Sequence, residues 1–279
     1  MKIVSGKVDC MGQWISSLVF RPPPVRRGSI RRDLHTIDVP SIGVRIPILY
    51  VRTSRSTARQ TTLLFAHGNG EDLALIESLI RYTVDTLGVS VLAFEYPGYG
   101  ESVWIDASIT DPLLPSEARC YAAAEAAFDW LVHQRGIAST DVVLYGRSLG
   151  SGSAVHLAVR CAALDMPCGG LILQSPIASV VRVVMPRMCM TLPLIDMFAN
   201  VDKAAAIKCR TTVIHGVRDR IVPVECARQL DAALPECAHT PALFIEGADH
   251  NDIELHRAAW CAHMNSFIAL AVTVNTDAV

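Results

Sequence analysis

Val142-Val143-Leu144-Tyr145-Gly146-Arg147-Ser148-Leu149-Gly150-Ser151-Gly152 joins a short apolar run to a stretch with helical spacing, Ser153, Ala154, Val155, Leu157 and Ala158. A G-x-S-x-G placed between a strand and a helix is a nucleophile elbow, which presents its serine on a strained turn at the edge of a sheet. Gly146, Gly150 and Gly152 supply the small neighbours that let the backbone approach closely. The N–H groups and dipole of the following helix favour negative charge developing beside the hydroxyl. Ser148 is the candidate nucleophile.

Outward from this point, apolar runs alternate with longer helical patterns, the signature of a mostly parallel sheet with crossover helices. The expected strands are 61–67, 89–95, 141–146, 169–174, 211–215 and 242–246. The expected helices are 71–87, 116–135, 149–164, 222–234 and 251–271. Near-continuous hydrophobicity along each strand implies helices on both faces. Residues 34–51 read as an earlier hairpin. One interval breaks the rhythm: residues 175–200 are apolar, hold Met185, Met188, Met190 and Met197, and are punctuated by Pro186 and Pro193. Such an insertion is read either as a small lid whose Met185, Met188 and Met190 meet substrate, or as a pair of ordinary packed helices.

A serine hydroxyl needs an adjacent base. Of nine histidines, His250 alone sits in a loop after the last expected strand. The chain order of this architecture, serine, then acid, then histidine, places the base there. The acid belongs after the preceding strand, where Asp219 stands in His215-Gly-Val-Arg-Asp219. A carboxylate there would hold the His250 Nδ1–H and stabilise the imidazolium. Asp249 and Asp252 lie nearer in sequence but are less well placed to reach that ring nitrogen. The oxyanion hole is expected from the backbone N–H of Leu149 and a second N–H in His67-Gly68-Asn69-Gly70, with Asn69 preferred and Gly70 the fallback. Together these features specify an α/β-hydrolase fold with a central sheet of about eight strands.

Composition narrows the setting. The 279 residues suit one large α/β unit at 34–272, with an N-terminal segment 1–33 and a tail 273–279. Net charge is −2, which gives no case for nucleic-acid binding. No apolar stretch is long enough to span a membrane, and no signal peptide is evident. The nine scattered cysteines form no C-x-x-C pair or zinc pattern and read as reduced thiols of a cytosolic protein. The serine route requires no metal or organic cofactor, and none is expected.

The blocks Leu63–Leu73, Phe94–Ser102, Val142–Gly152, Leu171–Ser179, Phe198–Pro223 and Glu246–Leu255, with the leading Ser16–Pro24, resemble the α/β-hydrolase domain-containing protein 17 type of α/β-hydrolases over about residues 15–270. The resemblance implies a triad of Ser148, Asp219 and His250 and removal of palmitoyl groups from cysteines of membrane-associated proteins. It also implies an N-terminal cluster of acylated cysteines, from which this chain departs: only Cys10 stands there, and one acyl chain anchors weakly. Met11, Trp14, Ile15 and Leu18 recur at helical spacing ahead of Arg21, Arg26 and Arg27. Residues 1–35 carry seven basic and two acidic groups. This segment reads as a basic amphipathic helix either on an anionic membrane surface or packed on the domain. Lys2 excludes N-myristoylation. On the surface reading, deletion of residues 1–20 lowers vesicle binding and spares hydrolysis of a soluble ester.

The leading expectation is hydrolysis of acyl esters or thioesters, with an acylated protein or small acyl ester as partner. A serine peptidase of the prolyl-oligopeptidase sort shares the triad order, but only about 60 residues precede the first central strand, too few for a propeller. A non-catalytic binding protein on a hydrolase fold would typically have lost a triad residue.

Overall fold

Runs rich in Val, Leu, Ile, Phe and Thr form the parallel part of one sheet: β3 (Thr62–Ala66), β4 (Ser90–Phe94), β6 (Val142–Arg147), β7 (Gly170–Gln174), β8 (Thr211–Gly216) and β9 (Leu243–Ile245). The computed structural model describes residues 19–25, 28, 30, 32–55, 61–185 and 196–273. β1 (Leu34–Val39) and β2 (Val44–Val51) make the expected antiparallel hairpin, and β2 continues antiparallel onto β4. The strands run β1-β2-β4-β3-β6-β7-β8-β9, with the short β5 (Val103–Trp104) paired to the start of β2. β5 was not anticipated, because two residues carry no periodicity.

Two packed layers explain the absence of polar alternation. Leu63, Val91, Val143, Ile172 and Ile214 face α1 (Leu73–Leu87) and α7 (Arg257–Thr273), where they meet Ile76, Ile80, Trp260, Met264 and Phe267. Their sequence neighbours Leu64, Leu92, Leu144, Leu171 and Val213 face the other way, toward α2 (Glu117–Asp129), α3 (Ser151–Ala163) and α6 (Val224–Ala233). Strand side chains alternate between faces, and here both faces are dry.

Local chemistry sets the ends of the helices. Asp72 caps α1 by accepting the Leu75 N–H at 2.8 Å, which stabilises by roughly 1 kcal/mol. The helix expected over 116–135 is α2 followed by a π turn, Trp130–Gln134. The helix expected from 251 begins only at Arg257, after a 3₁₀ turn at Ile253–Leu255. Asp252 Oδ1 accepts the Asp249 N–H at 2.6 Å, a local bond that competes with helix formation. In the 175–200 interval, α4 (Val180–Val184) and α5 (Asn200–Lys203) flank residues 186–195, which lie outside the described residues, as do Cys10 and residues 11–18. Among the described residues no helix is long and apolar enough to cross a membrane.

The topology delivers four chain segments to one edge. β3, β6, β8 and β9 run parallel, so the loops at their carboxyl ends lie side by side.

Candidate active site

Ser148 follows β6 directly and has φ of 53°, a conformation disfavoured for a side-chain-bearing residue. The surrounding glycines make this turn feasible. A Cβ on Gly150 would lie 2.0 Å from the Ala66 carbonyl oxygen, and one on Gly146 would lie 2.6 Å from the Ser151 Cα. The Ser151 hydroxyl donates to the Ser148 carbonyl at 2.6 Å and fixes the far side of the turn.

The Ser148 Oγ lies 3.0 Å from His250 Nε2. On the other side of the ring, Nδ1–H donates to Asp219 Oδ2 at 2.7 Å. That bond fixes the proton on Nδ1 and leaves the Nε2 lone pair facing the hydroxyl. His250 is 5% and Ser148 8% exposed, so this hydrogen-bonded series lies largely out of bulk water.

Asp219 is held from several directions. Its Oδ1 accepts the N–H groups of Ile221 at 2.9 Å and Val222 at 2.8 Å. Burial acts to raise its pKa, but the His250 hydrogen bond and charge and these N–H groups outweigh it, so the carboxyl stays below its ordinary value. His215, at the end of β8, adds a contact: its Nε2 lies 3.3 Å from Asp219 Oδ2 and 2.9 Å from the Val222 carbonyl. Burial pushes the His215 pKa down, so this second histidine is neutral. The local carboxylates serve the loop backbone. Asp249 Oδ1 accepts the N–H groups of Arg220 at 3.0 Å and His250 at 2.8 Å.

In the loop after β3, the amides on either side of Asn69, the fallback Gly70 included, already have partners. The Gly68 N–H donates to Glu71 Oε2 at 2.7 Å, and the Gly70 N–H to Asn69 Oδ1 at 3.1 Å. That leaves the Asn69 N–H, on a residue that lines the same cavity as Ser148 and Leu149. The Asn69 side chain is occupied elsewhere. Its Nδ2 donates to the Val19 carbonyl at 2.7 Å, while Oδ1 accepts the Arg21 N–H at 2.8 Å and the Tyr99 hydroxyl at 2.7 Å.

The cavity over Ser148 measures about 440 Å³ and is walled by Val19, Ile177, Val180, Val183, Val184, Ile221 and Val222. Its volume falls within the usual range for small-molecule sites, ~300–1,000 Å³. Among the described residues, the lining side chains apart from Ser148 and Asn69 are hydrocarbon, which favours an apolar group over a charged or heavily hydroxylated one.

No protein-family model matches the chain. Over 218 residues it is 34% identical to human alpha/beta hydrolase domain-containing protein 17B, across 77% of this chain and 68% of that protein. The chain belongs to the α/β-hydrolase domain-containing protein 17 family. It is likewise 34% identical over 207 residues to the Caenorhabditis elegans alpha/beta hydrolase domain-containing protein aho-3, across 74% of this chain and 57% of that protein. It therefore spans less than two thirds of that relative's length. Among solved structures, an alpha-beta hydrolase from Vibrio vulnificus superposes with a TM-score of 0.64 at 19% identity, across 85% of this chain and 81% of that one. That likeness is one of fold.

The structure of this α/β-hydrolase brings together Ser148, Asp219, His250, Leu149 and Asn69. Met185 is half exposed at the end of α4. The valines of α4, not Met185, line the cavity; Met188 and Met190 fall outside the described residues. The expectation that residues 1–20 are dispensable for hydrolysis needs revision. Val19 forms part of the cavity wall, and Phe20 is buried edge-on to Tyr99 and Phe198, with ring centroids 6.4 Å and 6.1 Å away. The sequence reading missed the valine wall, although Val180-Val181-Arg-Val183-Val184 was visible as an apolar run. It also missed His215, Glu71 and Arg147, whose roles depend on contacts between separate loops.

Proposed function

We propose that this chain is a serine hydrolase that cleaves acyl esters or thioesters through an acyl-enzyme on Ser148. The observation that carries this reading is the Ser148–His250–Asp219 hydrogen-bonded series opening onto a hydrocarbon-walled cavity. His250 Nε2 takes the hydroxyl proton as Ser148 Oγ attacks the acyl carbonyl. The oxyanion is received by the N–H groups of Leu149 and Asn69. The imidazolium, stabilised by Asp219, then gives its proton to the departing alkoxide or thiolate. Water repeats the sequence on the acyl-enzyme and releases the acid.

The finer proposal is that the acyl group is carried on a cysteine of a protein at a membrane surface. Supporting it are the family membership, the apolar cavity and the basic segment 1–33, which suits a peripheral contact with anionic lipid on the cytosolic side. A fluorophosphonate probe should label the intact protein and fail to label Ser148→Ala. On substrates of matched acyl length, acyl-cysteine peptides should be cleaved faster than the corresponding amides. Each methylene added to the acyl chain should raise kcat/KM by roughly three- to fourfold until the cavity is filled, from ~0.8 kcal/mol per buried CH₂. Equal labelling of Ser148→Ala would refute the nucleophile assignment. Indifference to chain length would refute the acyl pocket.

A further inference from the structure

Three loops must keep their relative positions for this site to operate: the elbow after β6, the loop 67–71 after β3, and the loop 249–252 after β9. One side chain touches all three. Arg147 immediately precedes Ser148 and is 6% exposed. Its Nη1 forms an ion pair with Glu71 Oε1, and its Nη2 donates to Asn251 Oδ1 at 3.0 Å. The other Glu71 oxygen accepts the Gly68 N–H at 2.7 Å, one residue before the oxyanion donor. Asn251 directly follows the base.

Stability alone is a poor reason for this arrangement. A buried ion pair is often no more stable than apolar residues filling the same space. The Arg147 Nε is moreover buried without a hydrogen-bond partner, an added penalty. What a guanidinium offers is rigid, planar, forked donation in two directions at once, which an ammonium cannot reproduce. Here one branch of the fork goes to the oxyanion loop and the other to the base loop.

We propose, resting on the hydrolase reading above, that Arg147 is a positioning residue that sets the spacing between the Asn69 N–H, the Ser148 hydroxyl and the His250 ring through Glu71 and Asn251. Misplacing reacting groups by about 1 Å can reduce rate ~100-fold without loss of binding. The effect of removing the fork therefore falls on kcat.

The test uses a soluble p-nitrophenyl ester and the full chain. Arg147→Met, which keeps length and loses the fork, is expected to lower kcat by about 30- to 100-fold while KM stays within about threefold. Glu71→Gln should lower kcat by about tenfold or more. The Arg147→Met/Glu71→Gln double variant should be no worse than Arg147→Met, within about threefold, because both changes break one linkage. Added guanidinium ion at a sub-denaturing concentration should restore part of the kcat of Arg147→Ala and none of that of Glu71→Gln. Asn251→Ala removes only the exposed base-loop branch. It should lower kcat severalfold with an unchanged melting temperature, and it keeps the test decisive where an Arg147 variant fails to fold. A folded Arg147→Met with kcat within twofold of wild type overturns the proposal. So does a loss confined to KM, or losses that multiply in the double variant. Ser148→Ala separates the two readings: a protein whose activity survives Ser148→Ala sinks the hydrolase reading and this proposal with it. A Ser148-dependent enzyme indifferent to Arg147 and Asn251 sinks this proposal alone.

Discussion

Asp219→Asn replaces one oxygen of a buried carboxylate by an NH₂ group of nearly the same size, and the site dictates which one. Oδ1 faces two backbone donors, the N–H groups of Ile221 and Val222 at 2.9 and 2.8 Å. Neither can become an acceptor, so the remaining amide oxygen must stay there. The NH₂ group is thereby turned toward His250 Nδ1, where Oδ2 now accepts at 2.7 Å. A donor facing Nδ1 forces that nitrogen to be the acceptor, and the ring proton moves to Nε2, opposite the Ser148 hydroxyl at 3.0 Å. An imidazole in this tautomer cannot take the serine proton. The comparable change in serine proteases reduces kcat by about 10⁴, equivalent to ~5.4 kcal/mol at ~1.36 kcal/mol per decade. Steady-state hydrolysis of a p-nitrophenyl ester, with circular dichroism to verify folding, measures it. A folded Asp219→Asn variant retaining more than about one tenth of wild-type kcat would refute the reasoning, because no placement of the amide then blocks the base.

Gly150→Ala puts a methyl 2.0 Å from the Ala66 carbonyl oxygen and 2.7 Å from that of His67; a loss on the order of 3 kcal/mol or more is expected in urea denaturation. Gly136→Ala, with φ of 69° and nothing within 4 Å, should lose only the left-handed penalty of about 1–2 kcal/mol. The Asp249 carboxyl is held at about 2 by the N–H groups of Arg220 and His250 and the Arg220 side chain. Its pKa is depressed by folding, so its tether on the His250 loop is complete above the ordinary carboxylate range and is lost only as pH falls through about 2. An acid limb in the pH–rate profile above pH 4 therefore has another origin, and a carboxyl NMR titration of Asp249 near 3.9 would contradict this. Deleting residues 1–18 should weaken binding to anionic vesicles and leave ester turnover within about twofold, whereas deleting 1–21 also removes the Val19 carbonyl and Arg21 N–H that anchor Asn69 and should lower kcat about tenfold. Equal turnover in the two truncations would show that this anchor is irrelevant to the oxyanion loop.

The hydrogen-bonded set of Ser148, His250 and Asp219 was legible in the sequence because its members sit at positions that topology alone determines. Ser148, Asp219 and His250 each follow a parallel strand, and parallel strands bring their carboxyl ends to one edge whatever the details of packing. The strands could be read because covered strands are continuous apolar runs, and the elbow because Gly146 and Gly150 cannot be replaced without backbone collision. What escaped was set by distances between loops. Nothing in the string distinguishes Arg147, buried against Glu71 and Asn251, from a solvated arginine in the same motif, since its partners lie 76 and 104 residues away. The same holds for the N-terminal boundary. Residues 11–18 read as an amphipathic stretch followed by basic residues from Arg21, yet Asn69 accepts from one peptide group and donates to another within Val19–Arg21 and so ties those residues into the cavity wall. A single asparagine side chain thus ties down the segment that walls the cavity, while its own backbone N–H is the proposed oxyanion donor. On the proposed mechanism, pocket shape and transition-state stabilisation are coupled through one residue, so changes in the 19–21 segment are expected to alter rate as well as acyl selectivity.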